Sequence, residues 1–278
     1  MGNRSAGTLA VLIAVCIGAA AESKREEFRY PVGPAPVVSI TNQNGRIVVN
    51  PASTNEVVAT VTHSDQVNVQ AKRVENRITI ESKRSDGGRE GENADYQVLV
   101  PVDAVVILHS CSGLIMAQNL KGDLVFSSEG SSVEVSGASD AHIHISTLDG
   151  PVTVSNVAHS QLDITTDKGN VTLRDVSSTS VTVRSATGRI QYDGDPGSGV
   201  YALTSRAGDI DVSLPKTASV KVEAKSMKGK VDNPLPADET SDPAAGGIFH
   251  GLISRSVKAA SLVLHSFRGN IHIRQKSK

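Results

Sequence analysis

The chain has 278 residues, of which 38% are hydrophobic and 21% charged, enough apolar material for one or two folded domains. Aromatic residues make up only 3% and tryptophan is absent, so stacking platforms for sugars, bases or flavins are scarce. The formal net charge is -1 and the sequence contains no basic cluster, which argues against nucleic acid as a partner because phosphate binding requires a concentrated basic face.

The first 21 residues have the parts of a secretory signal peptide. Arg4 gives a positive start, residues 9–17 form an apolar run, and residues 19–21 are a small-residue cleavage site. The run is shorter than the roughly 20 apolar residues of a membrane-spanning helix, although an uncleaved anchor is an alternative. Cys16 would carry the lipid if this were a lipoprotein signal. We therefore expect residues 1–21 to be removed and the protein to be exported to the periplasm or the cell surface.

A cut after Ala21 leaves Cys111 as the single cysteine of the mature chain. One thiol cannot form an intramolecular disulfide, so stability is expected to come from packing. Because no surrounding motif indicates a nucleophile, Cys111 is predicted to be a small buried core residue.

Residues 22–105 are predicted to be a β-rich N-terminal segment that contains the first repeat. Its strand-like runs are EVVATVT, QVNVQAK, RITIESK and YQVLVPV. The charged, glycine-rich sequence KRSDGGREGENAD, residues 83–95, separates the last two runs and predicts a loop.

A unit of 18–21 residues repeats along most of the chain. Each unit is aligned on one small residue, which we call the anchor: Gly45, Gly113, Ser131, Gly150, Gly169, Gly188, Gly208, Gly229 and Gly269. The step from Gly229 to Gly269 is 40 residues, which predicts two units, one of them degenerate. Residues seven and five before the anchor and two after it are apolar, and those four after it mostly so. This spacing of two indicates strands with one buried face.

Three residues before each anchor stands a short polar side chain, Asn42 in the first unit and serine or threonine in the others. Such side chains hydrogen-bond to the backbone of turns, and the glycine that follows can adopt a positive φ without a Cβ clash. Each unit is therefore predicted to be strand, turn, strand.

A single unit cannot bury its apolar face, whereas stacked units bury a continuous one, which is typical of a β-solenoid. The predicted fold class is all-β, a parallel β-solenoid of about nine coils spaced about 4.8 Å apart over about 40 Å. An antiparallel sandwich is the alternative, although it does not require so constant a register. The solenoid domain is predicted at 106–278, with one long insertion at 232–259.

The insertion 232–259 begins as a proline-rich acidic loop and ends with apolar residues at 248, 249, 252 and 253, a spacing that predicts a short helix. Together with the interruption at 50–105, it is a candidate cap for sheet that would otherwise be exposed.

Outward positions differ along the predicted stack. Six residues before the anchor, the central units carry polar or small side chains, whereas Ile107, Val125 and Val263 are apolar. A covering segment is therefore expected over those units, which are predicted to be end coils.

The sequence resembles the bacterial family of exported β-strand-repeat proteins described as "putative adhesins", a domain of unknown function. The resemblance rests on the repeated units, on YQVLVPVDAVVILHSCSG and on IDVSLPKTASVKVEAKSMKG, and covers residues 36–275. It implies a β-solenoid-like fold and an envelope or surface location, and it supplies no catalytic residues. The serine at position 131 and the long break after Val231 depart from the repeat.

Two histidines suggest a metal site, because His142 and His144 project from the same face of one predicted strand and Asp163 is expected one coil away. Without a further ligand at suitable spacing, they are interpreted as solvated strand residues. No metal or cofactor is predicted.

Parallel β-helices also host polysaccharide lyases and hydrolases, which need paired acids or an acidic cluster with a base. Asp209 and Asp211 lie one predicted coil from Arg189 and Gln191. Opposite charges on adjacent coils are interpreted as cross-strand pairs that keep the sheet in register.

The sequence GDPGSG, residues 194–199, lacks the Lys-Ser/Thr of a phosphate loop and is interpreted as a turn that widens one coil. No serine has the G-x-S-x-G context of a hydrolase nucleophile. No catalytic, cofactor-binding or metal residues are predicted.

The predicted function is a non-catalytic envelope or surface protein that binds or scaffolds a protein or glycan partner. The alternative is a polysaccharide-active enzyme on the same scaffold. Self-association through the solenoid ends is a third possibility, because such ends expose unpaired strand edges.

Overall fold

The structure is a computed structural model that describes residues 23–85, 92–234, 238–240, 248–253 and 259–276. The predicted signal peptide, residues 1–21, lies outside this part of the chain. All regular elements in the described part are β-strands. No helix that it contains is long and apolar enough to span a membrane.

The strands fall into three groups along the chain. The N-terminal group contains the longest strands and comprises β1 (Ser23–Pro31), β2 (Val37–Pro51), β3 (Glu56–Ser64), β4 (Val67–Val74), β5 (Arg77–Arg84), β6 (Ala94–Val100) and β7 (Val105–Gln118). The central group comprises β8 (Asp123–Ser128), β9 (Ser132–Ser136), β10 (His142–Thr147), β11 (Val152–Ala158), β12 (Gln161–Thr166), β13 (Val171–Ser177), β14 (Ser180–Ser185), β15 (Ile190–Asp193), β16 (Val200–Ser205), β17 (Ile210–Leu214) and β18 (Val220–Ser226). The C-terminal group comprises β19 (Val231–Asp232), β20 (Asp238–Thr240), β21 (Ile248–Ile253), β22 (Ala260–Ser266) and β23 (Ile271–Gln275). The four predicted strand-like runs are thus β3 to β6.

Each coil contributes strands to two sheets, which are joined because β2 and β7 run through both. Sheet 1 contains the strands that precede the anchors, in the order β4, β5, β2, β7, β8, β10, β12, β14, β16, β22, β18, β21, β20. Sheet 2 contains the strands that follow them, in the order β1, β3, β6, β2, β7, β9, β11, β13, β15, β17, β23, β19. Neighbouring coils pair in parallel, and the antiparallel pairs among the described strands lie at the two ends of the stack. The solenoid is confirmed, and the sandwich alternative is wrong.

The predicted inward positions form the core. Residues seven and five before the anchors are all buried, and so are those two after them, apart from the half-buried Val231. These side chains belong to one continuous apolar cluster that includes residues of β3, β5 and β6. The alternation is sharp, since Ile164 is 0% exposed while the adjacent Thr165 is exposed.

The short polar side chains three residues before the anchors are buried in all nine coils. Most of them bond to the turns, as the sequence predicted, whereas the Thr166 hydroxyl has no hydrogen-bond partner among the described residues. The backbone N–H of Ser131 donates to Ser128 Oγ at 2.7 Å, and that of Gly269 donates to Ser266 Oγ at 2.9 Å. The serines of the repeat therefore serve the backbone of the fold.

Positive φ accounts for only two of the anchor glycines, Gly45 at 119° and Gly113 at 114°. At Gly169, a Cβ would overlap with the carbonyl oxygen of Gly150 in the neighbouring coil, and the other glycine anchors from Gly113 onward meet the preceding anchor in the stack in the same way. The anchors are therefore glycine mainly because the backbones of stacked turns approach closely. This corrects the prediction, which relied on turn conformation.

A second corner lies six residues after the anchor in four coils, at or near the end of the sheet 2 strand. Asn119, Gly137, Asn156 and Asp175 occupy it with φ between 50° and 68°. Glycine, asparagine and aspartate tolerate this left-handed conformation better than other residues, so these positions mark the bend back toward sheet 1.

The last coil is out of sequence order. Strand β22 pairs in parallel with β16 on one side and β18 on the other, and β23 lies between β17 and β19. A Cβ on Gly269 would overlap with the Gly208 carbonyl oxygen, and one on Gly229 with that of Gly269. The prediction of a degenerate coil between Gly229 and Gly269 is therefore wrong. The chain leaves the stack after β19 and returns to occupy a slot between two earlier coils.

Residues 248–253 form strand β21 and not the predicted helix. Their backbone pairs antiparallel with β18, from Val220 opposite Ile253 to Lys225 opposite Ile248. A strand satisfies the outward hydrogen-bonding groups of β18, which a helix cannot do. Strand β20 extends this end further, while β4 and β5 extend sheet 1 and β1, β3 and β6 extend sheet 2 at the other end. Both interruptions thus cap the stack by adding strands.

The outward apolar residues do not mark end coils. Val263 lies in the interior strand β22, aligned with Ala202 on one side and Glu223 on the other. Ile107 and Val125 lie half-buried on the outer face of sheet 1 in the second and third coils. That prediction is wrong because it took the order of coils from the order of the chain.

Candidate functional site

The outer face of sheet 1 has a shallow groove of about 420 Å³ built from β8, β10, β12 and β14. As predicted, His142 and His144 share one face of β10, and the register aligns Asp163 with His144. His142 Nδ1 lies 3.2 Å from Asp123 Oδ1, and His144 Nδ1 lies 4.0 Å from Asp163 Oδ2. Arg184 also donates a hydrogen bond of 3.1 Å to Asp163. The groove is therefore lined by a row of exposed histidine, carboxylate and guanidinium side chains that contact one another.

This row offers imidazole, carboxylate and guanidinium groups to a polar ligand from one open face. Each histidine faces one carboxylate, and Asp163 is shared with Arg184. Within the described ranges, no group of three or more His, Cys, Asp or Glu side chains is placed to hold a metal ion.

Cross-coil charge pairing on sheet 2 is confirmed. Arg189 Nε lies 3.0 Å from Asp211 Oδ2, and its Nη2 lies 3.8 Å from Asp209 Oδ2. Gln191 aligns with Asp211 in the pairing of β15 with β17. One guanidinium joins both carboxylates, so the three side chains form a cluster that links two coils. Glycoside cleavage would instead need two acids on either side of a sugar ring.

Residues 194–199 form a turn, as predicted. Gly197 has a φ of 61°, and its N–H donates a hydrogen bond of 2.9 Å to Asp195 Oδ1. The side chain of Asp195 thus closes the turn locally, and the segment lengthens one coil.

Two buried tyrosines fill this lengthened coil. Tyr192 Oη donates to the carbonyl of Val176 at 3.0 Å, and the N–H of Ser178 donates to Tyr201 Oη at 2.9 Å. Their rings meet edge to face with centroids 5.3 Å apart. Burial raises the pKa of both phenols, and burial likewise raises the pKa of Tyr96 to about 12. These phenols are neutral structural groups and not proton donors for catalysis near pH 7.

Cys111 is not the buried core residue that was predicted. It lies half-buried in β7, at the bend between the two sheets. Partial burial and then the charge of Glu129 raise the pKa of its thiol. Both effects disfavour the thiolate, so Cys111 lacks the electropositive environment of a reactive cysteine.

A second surface, which sequence reasoning missed, lies on the outer face of sheet 2 near the N-terminal end. It is a depression of about 520 Å³ lined in part by Val48, Val58 and Leu99, with Arg46 and Asp95 at its polar side. Leu99 is 43% exposed. The sequence signal for this surface was the unbroken apolar run around Leu99 in YQVLVPV. In a strand with one buried face, the outward position is expected to be polar.

The two predicted interruptions leave the stack at opposite ends. Residues 83–95 join β5 to β6 at the N-terminal end, and residues 232–259 join β19 to β22 at the other. Much of both segments lies outside the described residues: 86–91, 235–237, 241–247 and 254–258.

Fold and surfaces together define a class of protein, a two-sheet parallel β-solenoid whose outer faces carry exposed polar side chains. The chain belongs to the Toastrack DUF4097 family, whose model matches residues 37–247. The match spans the coils anchored from Gly45 to Gly229 and ends before the out-of-order last coil. A comparison with curated proteins found no match.

Three solved bacterial structures are similar over nearly the whole chain. A "putative adhesin" from Bacteroides fragilis has 9% identity and a TM-score of 0.45, with 93% of this chain and 100% of that chain covered. A "putative adhesin" from Parabacteroides merdae has 11% identity and a TM-score of 0.31, with 91% and 96% covered. A "putative cell adhesion protein" from Clostridium sporogenes has 12% identity and a TM-score of 0.28, with 91% and 100% covered.

Proposed function

We propose that this protein is a non-catalytic, exported protein of the cell envelope or surface that binds or scaffolds a partner in the manner of an adhesin. The observation that best supports the proposal is the single continuous core that extends from β5 to β23. Such a core makes the stack a rigid support, and loops on rigid supports commonly carry recognition. The partner is a protein or a glycan of the envelope or surface.

Recognition is assigned to the two interruptions, residues 83–95 and 232–259. Their supporting strands are caps at the ends of the stack, where added residues do not disturb the register of the coils. By contrast, several outward charges of the repeats already pair with each other across coils, as Arg189 does with Asp211. Because those side chains hold the coils in register, they are less available to bind a ligand.

Deletion of residues 236–247 tests this assignment. Within the described part of the chain, the deletion removes only β20, a three-residue edge strand. Circular dichroism and the cooperativity of thermal unfolding are expected to stay nearly unchanged, while association with a partner captured from an envelope extract is expected to weaken severalfold.

The matched control reverses the charges of Arg174, Arg189 and Asp211 on the outer face of sheet 2. Reversing both Arg189 and Asp211 retains their attraction but places a like charge beside Asp209, so thermal unfolding first checks that the variant is folded. This variant is expected to bind like the wild type. Full partner binding by the loop deletion, together with loss of binding in the charge-reversed variant, would place recognition on the flat sheet and contradict the assignment.

Non-catalytic function is tested by incubating the protein with the glycans that it binds on an array. Binding without release of reducing ends supports the proposal. Release of reducing ends would instead identify a polysaccharide-active enzyme.

Export is tested by sequencing the N-terminus of the protein recovered outside the cytoplasm. The expected first residue lies near Glu22, after the small-residue site at 19–21. A lipid on Cys16 would show that the signal belongs to a lipoprotein, and an intact N-terminus in the cytoplasm would contradict export.

A further inference from the structure

The turns of the last three coils form a positively charged edge that we call the basic ridge. Its cations are Arg206, Lys225, Lys228, Lys230 and Arg268, all exposed. Two exposed apolar side chains, Met227 and Phe267, lie among them. Residues from three separate parts of the sequence are thus gathered on one edge.

The out-of-order coil creates this edge. Arg268 N donates to Arg206 O at 3.1 Å, and Met227 N donates to Ser266 O at 3.0 Å, so the three turns are stacked directly. Lys228 Nζ lies 5.3 Å from the centre of the Phe267 ring. If the coil of Gly229 followed that of Gly208 directly, Phe267 and Arg268 would not lie between Arg206 and Lys228.

Among the described residues, positive charge on the basic ridge exceeds negative charge. Its one described carboxylate, Asp209, accepts a hydrogen bond of 2.7 Å from the Asn270 N–H and lies 3.8 Å from Arg189. Two carboxylates of the flanking strands face histidines: Glu223 lies 3.8 Å from His265, and Asp232 lies 3.7 Å from His272.

Several cations elsewhere in the described part of the protein pair with carboxylates. Arg184, Arg189 and Lys276 each lie within 4.0 Å of a carboxylate. Among the described residues, none of the five ridge cations forms such a pair. The chain as a whole has a net charge of -1, so the ridge is a local excess that points to an anionic partner.

The exposed apolar side chains of the basic ridge favour one class of anionic partner over others. Met227 is 58% exposed and Phe267 is 42% exposed, whereas Phe126 is buried in the core. Apolar side chains at the tip of a turn, flanked by Lys and Arg, match the interface of a lipid bilayer, where apolar groups enter the acyl boundary and cations stay at the headgroups. A dissolved polyanion would gain little from Met227.

We propose that the basic ridge docks this protein on an anionic lipid surface. The coils stand beside one another along that edge, so docking through the last three turns leaves the two sheets and the N-terminal cap free. The proposal is independent of the partner recognition assigned to the interruptions.

Co-sedimentation of the full chain with lipid vesicles tests the proposal. Vesicles of phosphatidylcholine mixed with phosphatidylglycerol are expected to bind the protein far more strongly than vesicles of phosphatidylcholine alone. Binding is expected to fall at about 0.5 M NaCl, where the Debye length is only about 4 Å. The double variant Lys228→Ser, Arg268→Ser is expected to lower the partition coefficient roughly 25-fold, about fivefold for each lost charge.

The apolar component is tested with the double variant Met227→Ser, Phe267→Ser, which keeps all five cations and is expected to bind at least tenfold more weakly. Leu148→Ser is the matched control, because Leu148 is 53% exposed at the same turn position of a central coil beside Asp149. It is expected to bind like the wild type. Thermal unfolding confirms that each variant is folded.

Three results would overturn the proposal. Equal binding to the two kinds of vesicle would exclude an electrostatic basis, and unchanged binding after Met227→Ser, Phe267→Ser would exclude insertion. Retention on heparin, unaffected by loss of Met227 and Phe267 and without binding to anionic vesicles, would identify a dissolved polyanion as the partner.

Discussion

Ile164 and Thr165 are neighbours in β12 that face opposite sides of sheet 1. Ile164 is 0% exposed in the core, whereas Thr165 is exposed. Ile164→Asp buries an unpaired carboxylate, and we expect it to abolish cooperative unfolding because such a charge costs several kcal/mol. Thr165→Asp is expected to change the free energy of unfolding by about 0.5 kcal/mol or less. Urea titration of both variants checks the prediction, and equal losses would show that the register is wrong.

Gly169 tests the stacking of the turns. An alanine there places a Cβ against the Gly150 carbonyl oxygen, so we expect Gly169→Ala to reduce the free energy of unfolding by about 2–4 kcal/mol. Gly130→Ala is the control, because the nearest atom to its Cβ would be the Cys111 carbonyl oxygen at 3.6 Å. That variant is expected to unfold within about 1 kcal/mol of the wild type. If both variants lost the same stability, backbone approach would not be the reason for the anchors.

For individual residues, the sequence predicted most of the inward and outward positions that the structure contains. The inward set follows from a period of two counted from each anchor, and residues such as Ile164 and Ile210 occupy it as expected. The role of Gly169 was assigned to turn conformation because glycine is required both for positive φ and for close backbone approach, and only the neighbouring coil distinguishes the two. Cys111 was predicted to be a buried core residue. The sequence did not show that it lies at the bend of β7, where it is only half-buried.

The last coil is expected to stabilise the strands on either side of it. Removal of residues 260–278 takes away β22 and β23, each of which lies between two parallel neighbours. We expect β18 to lose part of its protection from amide hydrogen exchange and the melting temperature to fall, because one of its two partner strands is gone. Removal of 277–278 alone, which shortens no strand, is the control. Retained protection in β18 after the longer truncation would mean that it pairs directly with β16.

The order of the coils could not be derived from the sequence. Each turn has a short polar residue three positions before its anchor, so the sequence does not distinguish one neighbouring coil from another, and in the structure Gly269 and not Gly229 stacks on Gly208. Residues 248–253 were predicted as a helix because apolar residues at that spacing satisfy a helical face. The unpaired edge of β18, which is invisible in the sequence, makes this segment a strand.

The whole molecule ends in strand edges that carry many charges. Strand β1 is paired on one side only among the described strands and contains Arg25, Glu27 and Arg29. Charged edge strands oppose edge-to-edge association, so we expect the wild type to sediment alike at two concentrations. Replacement of these three residues by threonine is expected to produce concentration-dependent association.

The control for that experiment introduces threonine at Glu134 and Arg184, which lie in strands paired on both sides. It is expected to sediment like the wild type. Association of the control, or identical behaviour of the edge variant and the wild type, would show that the strand edge does not determine the oligomeric state.

The sequence predicted surface contacts that depend on the register between consecutive coils. It did not predict those that depend on the order in which the coils stack. Pairing of Arg189 with Asp211 needs only the interval between two adjacent coils, and it was anticipated. The basic ridge combines Arg206, Lys228 and Arg268 from turns whose adjacency depends on the unexpected coil order. Along the chain only Lys225, Lys228 and Lys230 lie close together, and the coil order brings Arg206 and Arg268 to them.

The out-of-order coil also determines when the stack can be completed during synthesis of the chain. A ribosome completes the coil of Gly229 40 residues before it reaches Gly269, yet Gly269 must lie beneath Gly229 in the finished rod. Growth by addition of each new coil to the last one therefore stops at Gly208. The growing chain has to keep a gap between the coils of Gly208 and Gly229, or release a coil that has docked too early, until residues 260–275 have been made. The stack is consequently completed by insertion of a late coil between two earlier ones and not by addition at an end.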